Sequence, residues 1–482
     1  MYDFRPVGFV IGRLAVLLGL SMIAPMIIDL LEAQQNWRAF ALASFLTIVS
    51  GSALAIINRR TDTTGLSRQQ AFMLTVIVWI ALPLWGGLPF MLGAPYAGFT
   101  DAFFEAMSGL TTTGATVFIN LDTAPKSMLL WRALLQWYGG VGIVVVAMVF
   151  LPTLKVGGMQ FFRSESFDVA GDILPRAVEV AQSVSWIYFG LTAACIIAYA
   201  AAGMSGFDAL CHAMTTIATG GLANYDASFG AFGPAVHYAS VAFMALAAMP
   251  FIKFVQLARG RSGPLLSDPQ VRAFLTIIAV VVSIIVAWRV SQDSRDFEPA
   301  FRAALFNVTS VMTGTGYSTE DYGLWGGLPV TLFFTIALIG GCAGSTACSA
   351  KVFRYQILIA ALEVQIRRIH SPSGIFHLRY DNRPVEGEIL SSVMGFFFVF
   401  FAAMGIWAVL LSMLGLDTMT AISGSMAVLT NLGPGLGPEI GPSGNYAALP
   451  DAAKWLMSAG MVLGRLEFVS VLVLLTPIFW AR

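Results

Sequence analysis

Long apolar runs alternate with short polar stretches along the whole chain, at 7–31, 39–57, 71–92, 127–151, 183–204, 236–257, 271–290, 328–350, 389–414 and 452–480. Each is about as long as a helix needs to cross the hydrocarbon core, roughly twenty residues, so the pattern predicts about ten spanning helices. The first run is too long for a secretory signal, has no small-residue cleavage site at its end and leads into a second span, so it reads as a retained helix.

After two spans the pattern settles into a unit that recurs four times: a long apolar helix, a short semi-polar segment ending in Thr and Gly, a loop, and another long apolar helix. The short segments are 101–116, 208–223, 303–318 and 420–435, and one register places Gly114, Gly221, Gly316 and Gly433 at the same offset. Before them stand Thr111, Thr112 and Thr113; Thr219 and Gly220; Thr313, Gly314 and Thr315; and, most divergent, Thr430, Asn431 and Leu432. The organisation expected is two N-terminal helices over 1–69, repeats over 70–155, 182–258, 271–350 and 388–482, and a basic linker over 351–387. The fold class is an all-α membrane protein with four helix–re-entrant pore helix–helix units around one central pore.

Each segment before its glycine has about ten helix-compatible residues, half a span, and so must enter and turn back. Irregular backbone at membrane depth is tolerated only when buried in protein or lining water, which places the Thr/Gly runs around an aqueous path. Glycine reaches backbone angles closed to other residues, letting carbonyls turn inward. A ring of carbonyls replaces the hydration shell of a potassium ion. The short helices aim their negative ends at such an ion, and Asp101 and Asp208 suit the opposite, positive ends. Glu105 and His212 occupy equivalent places, so His212 reads as a group that packs or orients its helix.

Composition agrees: the 482 residues are 57% hydrophobic and 11% charged, and the mean hydropathy is +0.77. The net charge of zero hides an asymmetry. Basic residues gather in alternate loops (Arg59, Arg60, Arg68; Lys155, Arg163, Arg176; Arg259, Arg261, Arg272; Lys351 to Arg383), which the positive-inside rule makes cytoplasmic, with both termini. The intervening loops are net acidic, Arg295 and Arg302 notwithstanding, and would concentrate cations at the outer mouth. Cys195, Cys211, Cys342 and Cys348 match no zinc or disulfide framework and read as small packing residues. No hydrolase, metalloprotease, Walker or dinucleotide motif is present, so an enzyme is not expected, nor is a nucleic-acid partner.

In combination, 108–117 (SGLTTTGATV), 212–222 (HAMTTIATGGL), 309–319 (TSVMTGTGYST), 431–437 (NLGPGLG), 136–143 (QWYGGVGI) and 464–467 (GRLE) resemble the Trk/Ktr/HKT superfamily of potassium transporters, and within it the bacterial TrkH-type pore subunits. The resemblance covers nearly the whole chain. It implies potassium uptake across the bacterial inner membrane, a homodimer with one pore per subunit, and a cytoplasmic nucleotide-binding regulatory ring resembling TrkA. In that superfamily a serine at the first filter glycine goes with sodium permeation; Gly114 stands there, which favours potassium. A monovalent-cation symporter with alternating access is the alternative, but it would show two halves, usually inverted, where this chain has four copies in one orientation.

Two features suggest a gate. Arg465 falls within the last apolar run, where a lone charge costs roughly 2.5–3.5 kcal/mol on insertion scales and so faces a cavity or a partner. The resemblance implies a barrier below the filter; a buried salt bridge is the other reading. Glu467, two residues on, does not share its helical face. Ten small residues, including Gly340, Gly341, Gly344 and Ser345, interrupt the second helix of the third repeat, as an intramembrane gating loop or as a close helix–helix contact. The basic segment that follows would bind a regulatory partner or anionic lipid head groups.

Overall fold

The computed structural model describes residues 3–59, 67–146, 173–261, 263–293 and 296–480; Arg60, Lys155, Arg163 and Arg295 of the charge pattern lie outside them. The N-terminal helices are α1 (Arg5–Ser21), α2 (Ile23–Leu31) and α3 (Trp37–Ile57). α1 and α3 approach through small residues: a methyl on Gly12 would lie 2.6 Å from the Gly51 carbonyl oxygen. Such contacts replace the hydrophobic drive that is missing between helices in lipid.

The first repeat comprises α4 (Arg68–Gly86), α5 (Leu88–Leu92), α6 (Phe99–Leu110) and α7 (Lys126–Val145). A capping box starts α4, with Ser67 and Gln70 each bonding the other's backbone N–H. The second has α8 (Ile173–Ala201), α9 (Gly206–Ile217), α10 (Pro234–Ala247) and α11 (Phe251–Ala258), then α12 (Gly263–Ser267). The third has α13 (Pro269–Asp293), α14 (Phe297–Thr313) and α15 (Gly327–Ala337). α16 (Val352–His370) and a two-residue antiparallel ribbon, β1 (Arg379–Tyr380) with β2 (Arg383–Pro384), lead to the fourth repeat. That repeat is α17 (Gly387–Met413), α18 (Thr418–Thr430), α19 (Asp451–Arg465), α20 (Val469–Leu475) and α21 (Pro477–Trp480).

Among the described residues seven helices are long and apolar enough to cross a membrane, eight if α10 and α11, bent by 96°, count as one. The runs at 236–257, 328–350 and 452–480 are therefore not uninterrupted spans. Each break has a local cause. Pro250 lacks the N–H that would continue α10; α15 stops short of Gly340, whose φ is 80°; and α19 ends before Glu467 and Phe468, at φ 57° and 51°. The breaks meet in space: Cys342 N donates to Ala248 O at 3.0 Å, Phe251 N to Gly344 O at 2.9 Å, and Arg465 reaches Cys348.

Candidate ion pathway

Four short helices, α6, α9, α14 and α18, begin with an acidic group in or just before the first turn: Asp101, Asp208, Glu298 and Asp417. A carboxylate there meets the positive end of the helix dipole and its free N–H groups. Asp417 Oδ1 accepts from Met419 N at 2.9 Å and Thr420 N at 3.2 Å. Asp101 does more than face its own helix end, because Lys454 Nζ of α19 donates to it at 2.7 Å and so joins the first repeat to the fourth.

The opposite ends of these helices turn the same way four times. Two residues before Gly114, Gly221, Gly316 and Gly433 the backbone is left-handed: Thr112 at φ 52°, Thr219 at 50°, Gly314 at 76° and Asn431 at 51°. The next N–H reaches back across the turn, Thr113 to Ser108 O at 2.9 Å, Gly220 to Thr215 O at 2.9 Å, Thr315 to Ser310 O at 2.9 Å, and Leu432 to Ala427 O at 2.8 Å. This is a Schellman closure of the helix end. Gly and Asn adopt it readily; a threonine held there stores roughly 1–3 kcal/mol of strain. Gly114, Gly221 and Gly316 themselves have φ of 84°, 79° and 83°. Gly433 does not share that sign, and Pro434 behind it favours extended backbone.

The four turns close on one another. A methyl on Gly114 would collide with the carbonyl of Gly220, and one on Gly221 with the carbonyl of Thr315. One on Gly316 would lie 2.8 Å from Pro434 Cδ, and one on Gly433 would lie 2.8 Å from Gly114 O. First touches second, second third, third fourth, and fourth first. All four glycines line one cavity of about 250 Å³.

The threonine hydroxyls bond inward. Thr111 Oγ1 donates to Met107 O at 2.7 Å and lies 2.8 Å from Thr113 Oγ1; Thr313 and Thr315 repeat the 2.8 Å pair. Thr219 bonds Ala218 O and Thr430 bonds Met426 O. The Thr112 hydroxyl is buried without a hydrogen-bond partner among the described residues. Besides the Thr112 hydroxyl, what the turns can offer an ion is backbone oxygen. Groups behind the ring orient some of it: Gln136 Nε2 donates to Gly220 O at 2.6 Å while its Oε1 accepts from Leu222 N at 3.1 Å, and Tyr446 OH donates to Gly433 O at 2.8 Å. A carbonyl has two lone pairs, so such a bond leaves one for a ligand. Arg132, buried in α7, pairs with Glu105 at 2.8 Å and donates to Ala223 O at 2.8 Å, tying the first turn to the second.

Beneath the third turn lies the buried, non-helical segment 338–351. A methyl on Gly314 would stand 3.6 Å from Cys348 N. Gly340 and Gly344 are left-handed, Gly341 O accepts from Val352 N at 3.0 Å, and Ser345 Oγ donates to Cys342 O at 2.7 Å. Arg465, 3% exposed, donates to Cys348 Sγ at 2.5 Å and to Gly139 O at 3.4 Å. Glu467 turns away from it and takes Lys351 at 2.8 Å and Arg354 at 2.5 Å. The small residues of 338–351 thus form a folded loop, which a straight helix–helix contact would not require. The basic segment behind it is chiefly helix, and its first two cations, Lys351 and Arg354, are buried in this triad; Arg367, Arg368 and Arg379 are the exposed ones.

Sequence reasoning missed Arg132, Gln136, Tyr446 and the Glu467 triad. Arg132 carried a signal equal to that of Arg465, a charge inside an apolar run. Tyr446 carried none, since only the fold brings it to Gly433.

The sequence model of the cation transport protein family TrkH matches residues 37–479. The chain is 41% identical over 484 residues to the Trk system potassium uptake protein TrkI of Halomonas elongata, covering 99% of this chain and 97% of that one. It is 36% identical to the Trk system potassium uptake protein TrkH of Escherichia coli K12, covering 99% of each. The crystal structure of the potassium transporter TrkH from Vibrio parahaemolyticus superposes with a TM-score of 0.91 at 33% identity over 100% of both chains.

Proposed function

Because the chain belongs to the TrkH family of cation transport proteins, we propose that it is a potassium uptake protein of the bacterial cytoplasmic membrane in which K+ passes through the ring of four turns. It is a multi-pass membrane protein, and its relatives are transporters and not enzymes. The observation that carries the reading is the closed contact of the four glycine turns around one cavity. The filter is Thr111–Gly114, Thr219–Gly221, Thr313–Gly316 and Thr430–Gly433.

In this reading K+ enters from the acidic outer face, exchanges water for carbonyl oxygens in the ring, and feels the negative ends of four helices pointing at it. Arg465 and the loop holding Gly340, Gly341, Gly344 and Ser345 stand on its way to the cytoplasm. A cation leaving the ring meets a guanidinium in a site poor in water, and the charge repels it until the loop moves. Both termini lie in the cytoplasm, two copies pair with one pore each, membrane lipid surrounds them, and a TrkA-like nucleotide-binding partner docks on the cytoplasmic face and drives the loop.

The test is Rb+ uptake by proteoliposomes holding the purified protein, competed with K+ and with Na+, beside the Gly316→Ser variant. Strong competition by K+ only, weakened in the variant, is expected. Equal competition by both ions, or an unaltered variant, overturns the reading.

A further inference from the structure

One bond recurs in all four repeats without any rule of helix geometry calling for it. It joins the middle of each short helix to the chain returning outward, three residues past the glycine. Glu105 Oε2 accepts from Val117 N at 3.0 Å; His212 Nε2 from Asn224 N at 3.2 Å; Asn307 Oδ1 from Thr319 N at 3.2 Å; and Ser423 Oγ from Leu436 N at 2.9 Å. A carboxylate, an imidazole, an amide and a hydroxyl have little in common beyond a lone pair. All four side chains are fully buried.

The returning chain is not helical, so its N–H has no partner of its own, and at membrane depth no bulk water supplies one. A side-chain acceptor on the short helix satisfies it and, in doing so, fixes how far the returning chain stands from the helix. The glycine and its carbonyl lie between the two ends of that bond. The hold is strengthened from behind in each copy by different means. In the first repeat Arg132 pairs with Glu105 and donates to Thr116 Oγ1 at 3.1 Å. In the second, His212 Nδ1 faces Asp208 O at 2.9 Å, which puts the proton on Nδ1 and leaves Nε2 as acceptor. In the third, Asn307 Nδ2 donates to Thr319 Oγ1 at 2.9 Å; in the fourth, Ser423 Oγ donates to Leu436 O at 3.0 Å.

We propose that Glu105, His212, Asn307 and Ser423 are the positioning residues of the ion filter: each sets the stand-off of one quarter of the ring, and together they set the aperture that separates K+ from the smaller Na+. The inference rests on the filter reading above. None of the four touches the ion; they act through the carbonyls they hold.

The experiment measures the ratio of K+ to Na+ competition against Rb+ uptake in proteoliposomes. The variants are Ser423→Ala, which removes the acceptor with one atom; His212→Leu, which removes it at similar size; and His212→Gln, which restores an acceptor at similar reach. Losing one hold leaves a buried donor unpaired, so the ratio is expected to fall roughly tenfold in Ser423→Ala and His212→Leu and to return toward the parent value in His212→Gln. A merely structural role would lower the yield of folded protein and leave the ratio alone. Ratios within about twofold of the parent in Ser423→Ala and in folded His212→Leu overturn the proposal; should His212→Leu not fold, Ser423→Ala decides it. Gly316→Ser separates the two readings: if it too leaves the ratio unchanged the filter itself is wrong, whereas if it alone changes the ratio only the positioning role is lost.

Discussion

The Arg465 guanidinium bonds the sulfur of Cys348, so the end of α19 in the fourth repeat holds the loop of the third repeat where it packs against the turn at Gly314. Both groups are buried, and the guanidinium Nε has no hydrogen-bond partner among the described residues.

Removing that charge should open a leak. Arg465→Ala is expected to raise Rb+ flux without the regulatory partner by roughly tenfold or more, the factor that about 1.4 kcal/mol of barrier supplies. Arg465→Lys, which keeps the charge and loses the planar fork, should leak less. Flux in liposomes at fixed protein content measures both, and equal flux in Arg465→Ala and the parent would remove the barrier role.

The glycines fall into two classes that substitution should separate. At Gly221 a methyl meets the Thr315 carbonyl, a backbone atom unable to yield, so Gly221→Ala should abolish selective Rb+ uptake. At Gly314 the nearest atom to such a methyl is 3.6 Å away and only the left-handed backbone resists. Gly314→Asn, the residue the fourth repeat carries as Asn431, should retain most uptake, because Asn tolerates that conformation. Loss in both variants alike would show that crowding between repeats does not matter.

Glu467 joins two cations at the exit of the loop to the break after α19. Glu467→Gln removes the buried carboxylate that Lys351 and Arg354 share, a change worth roughly 3–5 kcal/mol. Thermal unfolding in detergent should drop clearly, and uptake without the partner should rise as the loop loosens. Lys351→Met removes one arm and keeps Arg354, so it should cost less than Glu467→Gln.

Thr112 combines a left-handed backbone with a buried hydroxyl that has no partner among the described residues. Relief of roughly 1–2 kcal/mol of strain set against roughly 0.5–1 kcal/mol of added chain entropy predicts that Thr112→Gly melts at or slightly above the parent. Calorimetry or a fluorescence melt checks it; a fall of several degrees would mean that the side chain packs more usefully than its bonds suggest.

The repeat register is legible in the sequence because the backbone condition it serves is local: a glycine is needed wherever a turn meets its neighbour's carbonyl. The left-handed residue two positions earlier is not legible, since Thr112 and Thr219 fill it where composition would suggest Gly or Asn. The short helices α6, α9 and α18, of 12, 12 and 13 residues, were readable from length, whereas α14 starts earlier than expected, at Phe297, and runs to 17. The breaks after Ala247 and Arg465 were not, because an apolar run looks alike whether it crosses straight or bends at its inner end. Lys351 and Arg354 sit in a basic stretch and read as surface charge; only the fold reveals that Glu467, more than a hundred residues away, meets them. Bonds between repeats, such as Arg132 with Ala223 or Lys454 with Asp101, leave no trace in a single chain.

Since one polypeptide supplies all four walls, the encirclement is a heteromer in everything but covalent connection. A mutation alters a single quadrant, leaving three unchanged, whereas an assembly of identical subunits must change every quadrant together. Glu105, His212, Asn307 and Ser423 are what that freedom permits: four chemistries drifting apart in their own quadrants under one shared dimensional constraint.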